Sequence, residues 1–175
     1  MTTTNRPDDF TDAQRAGLGA RQAHQDRTLA SVHQLEAVLG SAAPGREEQW
    51  RSAVLDALRA LEEATADESR NAEAPDSLLS DLARTQPWLR NRVRAVRLQY
   101  RQLRDHLASL EQELAEHPGQ PLDYSDIRQR LSWVLTGLRN QRARESDLIY
   151  EAYFDAFHTD LAPETGPADP EGPDR

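Results

Sequence analysis

Eight apolar or aromatic residues, Leu89, Val93, Val96, Tyr100, Leu103, Leu107, Leu110 and Leu114, follow one another in alternating steps of four and three. Such a run places every member on one stripe of an α-helix and none of them on a strand face, where the repeat is two. A single stripe this long must be covered by other elements, and the rest of the chain offers helices to cover it. Thr11 in "FTDAQRA" suits an N-cap, and a first helix then runs to Leu39 before Gly40, with a stripe of Leu18, Leu29, Val32, Leu35 and Leu39 and Val38 on its flank. A second helix covers about 46 to 73 through Trp50, Val54, Leu58, Leu61 and Thr65. Pro75 breaks it, a short helix capped by Asp76 or Ser77 follows, and Pro87 opens the third long helix from a first-turn position. The segment "EHPGQPLDYSD" ends that helix and caps a fourth, from about Ser125 to His158.

Four long helices with one apolar stripe each bury those stripes best against one another. The expected fold is therefore all-α, an up-down-up-down four-helix bundle with a short extra helix between helices two and three. In this reading residues 1–10 are a flexible N-terminus and 11–160 are the bundle. Residues 161–175, "APETGPADPEGPDR" with the preceding leucine, form a disordered acidic tail rich in Pro and Gly. Three internal proline-containing joints argue against an extended coiled coil.

Composition narrows the function classes. The formal net charge of −9 disfavours general nucleic-acid binding, which wants a basic surface. No apolar run approaches the ~20 residues that span a bilayer. The start lacks the layout of a secretory signal, so a cytoplasmic protein without membrane attachment is expected. Cysteine is absent, which removes disulfides, thiolate ligands and a cysteine nucleophile. All 21 Lys and Arg residues are arginine, which removes lysine chemistry as well. No phosphate-binding glycine loop or nucleophile elbow occurs.

What remains informative is polar residues on apolar stripes. The step through Ile127, Leu131, Val134 and Leu138 continues onto Gln141 and Glu145 before it reaches Leu148 and Ala152. His24 lies close to the Val32, Leu35 and Leu39 face, Ser69 and Glu73 extend the flank of helix two, and Tyr100 holds a full core position. A carboxylate buried without a partner costs several kcal/mol, so Glu73 and Glu145 must reach water or find donors inside. A polar network among His24, Glu73, Tyr100, Gln141 and Glu145 is expected.

The stretches "PWLRNRVRAVRLQYRQLRDHL" and "LRNQRARESDLIYEAY" give the layout a resemblance to the hemerythrin-like (HHE cation-binding) family, covering about residues 15 to 155. That resemblance implies a four-helix bundle whose di-iron site is built from His-x-x-x-Glu pairs and lone histidines. Carried over by position, His24 matches the first-helix histidine. Ser69 stands at the helix-two histidine with its glutamate kept as Glu73. Tyr100 stands at the helix-three histidine, and Gln141 at the last histidine of the helix-four pair, with Glu145 kept. The resemblance thus implies a vestigial pocket, no metal cofactor and no enzymatic activity, and leaves an interaction or regulatory role. The alternative is an iron protein that handles dioxygen, nitric oxide or peroxide.

One further feature is a flank of Arg90, Arg97, Arg101 and Arg104 on helix three. Guanidinium forks suit an anion or a protein partner. The plainer expectation is pairing with Glu62, Glu63, Asp67 or Glu68 of helix two. His33, His106 and His117 fall off the stripes and read as surface residues, while Phe154 or Phe157 could form a docking patch.

Overall fold

The computed structural model describes the backbone of residues 11–41, 45–116 and 123–159, and side chains as far as Tyr153. Every element in it is helical: α1 (Asp12–Gly40), α2 (Glu47–Glu73), a short α3 (Leu78–Thr85), α4 (Arg90–Glu116) and α5 (Tyr124–Thr159), with a 3₁₀ turn at Pro87–Leu89 leading into α4. The expectations for the N-terminus, the tail, His117 and the Phe154, Phe157 and His158 side chains fall outside the described residues.

Local chemistry accounts for the boundaries. Thr11 caps α1 in a reciprocal box with Gln14, whose side chain returns to the Thr11 amide. Ser77, of the two residues expected there, caps α3 by accepting from the Ser80 amide. Asp123 accepts from the amides of Ser125 and Asp126 at the start of α5. Before α2 the backbone turns through Gly45 at φ 74°, a conformation that other residues adopt only with strain.

Side-chain contacts link each of the four long helices to two others. Thr28 and Ser31 of α1 meet Glu68 and Ala60 of α2. Arg59 and Glu68 of α2 meet Glu111 and Tyr100 of α4. Arg92 and Glu113 of α4 meet Glu151 and Arg130 of α5. Arg21 and Glu36 of α1 meet Glu145 and Arg139 of α5. In every pair, rising numbers on one helix meet falling numbers on the other.

All eight residues of the α4 stripe are buried. Each buried leucine contributes roughly 1.5–3 kcal/mol from desolvation, so these stripes dominate stability over surface ion pairs worth about 0–1 kcal/mol each. The core falls into two apolar clusters. One gathers Leu35, Leu58, Leu107 and Leu131 with their neighbours towards the end closed by Trp50 and Tyr124, whose rings meet edge to face at 5.0 Å. The other gathers Leu79, Leu82, Leu89, Val93 and Leu148 under α3. One stripe assignment needs correcting. On α1 the buried register is Thr28, Val32, Leu35 and Leu39, in steps of four, three and four, and Leu29 lies about 100° further round, on the exposed side.

The corner that carries α3 is held by α4. Arg97 donates through Nε and Nη2 to the Ala72 carbonyl at 3.1 and 2.9 Å, and through Nη2 to Ser80 Oγ at 2.7 Å. Arg90 Nε donates to the Ala83 carbonyl at 2.9 Å. Replacing Arg97 with Leu removes charge-assisted bonds to a helix end and should lower stability by about 2 kcal/mol. Amide exchange across residues 78–85 should accelerate more than across the rest of the chain, and uniform acceleration would show that Arg97 does not hold this corner.

Candidate functional site

Between the two apolar clusters lies a polar layer. Thr28 of α1, Glu68 of α2, Tyr100 of α4, and Gln141 and Glu145 of α5 are all less than 5% exposed. The Tyr100 hydroxyl lies 2.8 Å from Glu68 Oε1 and 2.7 Å from Glu145 Oε2, so its single proton is shared between two carboxylates. Thr28 donates its hydroxyl to Glu68 Oε2 at 2.6 Å. Arg21 Nε donates to Glu145 Oε1 at 2.9 Å while its Nη2 donates to Ser146 Oγ. Arg142 brings a second guanidinium to 4.0 Å from Glu68 and anchors itself on the Gln25 carbonyl. Thr28 and Arg21 each serve one carboxylate oxygen, the single Tyr100 proton is divided between the other two, and two buried carboxyl groups face two guanidiniums.

Gln141 is fully buried and bonds the backbone. Its Nε2 donates to the Val96 carbonyl at 2.9 Å, and its Oε1 has no hydrogen-bond partner among the described residues. Ser69 is buried beside Glu68. Tyr100 ionises less readily than an ordinary tyrosine, first because of burial and then because Glu145 and Glu68 repel a phenolate.

This arrangement keeps Tyr100, Gln141 and Glu145 of the expected network in the interior and corrects two members. Glu73 points outward and pairs with Arg101 at 2.9 Å on the surface. The buried register of α2 runs Leu61, Thr65, Glu68, Ala72, so the inward carboxylate is Glu68 and Glu73 falls on the flank at the last residue of the helix. His24 is only half-buried. Its Nδ1 faces Arg27 Nη2 at 3.3 Å, and its carbonyl, not its ring, touches Thr28. Thr28, four residues on, takes the inward place. Arg21, Thr28 and Arg142 were not singled out from sequence, and Glu68 entered only as a surface partner for the arginine flank. The signal for Thr28 and Glu68 was the same alternation of four and three that marks α4, extended through a threonine and a glutamate.

The arginine flank divides. Arg90 and Arg97 are used within the fold, Arg101 pairs with Glu73, and Arg104 lies near Glu62, whose carboxyl is held above its ordinary range by a hydrogen bond with Glu111 and by burial, an effect Arg104 only partly offsets. Arg101 therefore meets a different acid of α2 from those expected, because α2 reaches this level at its final residue.

The donor set does not fit the di-iron centre that the resemblance implies. Its inward groups are two carboxylates, a phenol and an amide, with no imidazole, and guanidinium groups stand where cationic charge would be required. Among the described residues no group of three or more His, Asp or Glu is arranged to hold a metal ion. Nor is any described helix long and apolar enough to cross a membrane. No family model matches the chain, and neither does any curated protein or solved structure.

The proton on Tyr100 gives the layer a pH signature. An unfolded tyrosine ionises near 10, whereas folded Tyr100 keeps its proton to higher pH. The stability this contributes is complete below pH ~10 and is lost above it, by up to about 1.4 kcal/mol per pH unit. Tyr153, pushed up to about 12 by burial and by Asp81, adds to the same slope. Tyr100→Phe should cost about 2 kcal/mol at neutral pH and flatten the alkaline fall in urea-unfolding free energy. Identical alkaline slopes in the two proteins would contradict the shared-proton assignment.

Proposed function

We propose that the chain is a hemerythrin-like, up-down-up-down four-helix bundle in which side chains have replaced the di-iron site, and that it works as a non-catalytic interaction or regulatory protein. The observation that supports this reading is the pairing of Glu68 and Glu145 with Arg142 and Arg21 around Tyr100. In a metal-binding bundle, carboxylates on facing helices converge on a cation that the protein lends no charge of its own to balance. Here guanidiniums, which stay protonated and donate but never ligate, occupy that electrostatic role. A reactive centre also needs an open coordination position or a substrate cavity, and here the phenol occupies the space between the two carboxylates while the amide is tied to the Val96 carbonyl.

The chemistry left to such a layer is structural, and any biological role then lies on the surface. The competing reading is an iron protein that binds dioxygen, nitric oxide or peroxide. Purification from iron-supplemented cells, with metal quantified by mass spectrometry and an absorption scan for oxo-bridged iron, separates the two. We expect iron far below one atom per chain and no charge-transfer bands; about two irons per chain with such bands would establish the iron protein instead.

A further inference from the structure

We propose that the α4–α5 face is the contact between two copies of this chain, related by a two-fold axis near Gln102. A groove of about 640 Å³ runs along this face. Its walls carry two of the largest exposed apolar side chains among the described residues, Trp133 at 60% and Leu98 at 48% exposure. Trp133 is held upright by an edge-to-face contact with His106 at 5.1 Å. At Gly137 on the groove floor α4 and α5 pack closely, because Leu103 Cδ2 lies 2.7 Å from where a side chain would begin. An exposed tryptophan beside an exposed leucine is the kind of anchor that dominates protein contacts.

Charge placement selects the occupant. Asp105 lies on this face without an ion pair among the described residues, and Arg144, on the same face, donates only to the neutral Gln99 at 2.9 Å. On α4, Gln99 and Asp105 stand three residues to either side of Gln102, about 4.5 Å along the axis in each direction. A two-fold axis through that point lays Asp105 of one copy against Gln99 and Arg144 of the other, twice. The same axis carries Leu98, four residues from Gln102, onto the level of His106 and Trp133. Acid meets base and exposed apolar side chains meet one another without a second kind of surface, which is the requirement for a closed, isologous dimer. A net charge of −9 on each copy opposes association in general, so the contact depends on this local complementarity.

Sedimentation velocity on the full chain between about 1 and 100 μM tests the assignment, since contacts of this kind span micromolar and tighter affinities. We expect a dimer that dissociates on dilution. Asp105→Arg and Arg144→Asp should each raise its dissociation constant by about tenfold or more, and the double variant should recover it. Trp133→Ser should leave a monomer of unchanged helicity by circular dichroism. A monomer throughout the range, a dimer indifferent to Trp133→Ser, or no recovery in the double charge variant would each overturn the proposal. Iron content plays no part in any of these outcomes, so they stand apart from the metal reading.

Discussion

Two carboxylates buried in the middle of a helical bundle set the terms for everything around them. Glu68 and Glu145 approach one phenol from opposite sides, and neither would be tolerated there without the donors that converge on it. Removing such a group's partner leaves an uncompensated charge in a medium that cannot solvate it. The layer is therefore a demand on all four long helices at once. Thr28 and Arg21 come from α1, Glu68 from α2, Tyr100 from α4, and Glu145 and Arg142 from α5.

That demand fixes how the helices slide and turn. Leucine stripes repeat every turn and would pack tolerably after a shift of four residues. The polar layer would not. Moving α5 one turn along α4 would carry Glu145 away from Tyr100 and leave it facing the apolar neighbours of that stripe. The apolar clusters on either side supply the bulk of the favourable free energy, and the layer between them selects the alignment in which it is realised. Gln141 adds to this by bonding the Val96 carbonyl across the α4–α5 seam. At the far end Arg97 and Arg90 tie α3 onto α4, which turns half of a basic flank into part of the scaffold.

The sequence made most of the helices readable and only part of the layer. Caps at Thr11 and Ser77, the break at Pro75 and the eight-residue stripe of α4 are local signals, and local signals set helix ends and faces. Tyr100, Gln141 and Glu145 were legible because they interrupt an otherwise apolar alternation. Glu68 and Thr28 were harder to see, since α1 and α2 carry weaker stripes in which alanine, threonine and charged residues share positions. His24 and Glu73 lie near the apolar faces of their helices but not on them. A rotation of about 100°, one residue, is enough to exchange Glu73 for a surface pair and Leu29 for solvent. Arg21 and Arg142 illustrate a different limit. Long side chains reach a buried charge from the rim of a helix, and no periodicity reports where their ends go.

Arg21 neutralises Glu145 inside the bundle, and the polar layer stands by its own pairing. A double-mutant cycle of Arg21→Met and Glu145→Gln, followed by urea unfolding at neutral pH, measures this directly. The account predicts that the two changes are strongly non-additive, with a coupling of about 2 kcal/mol or more in favour of the pair. Additivity within about 0.5 kcal/mol would mean that the two side chains do not depend on each other, and the account would be wrong.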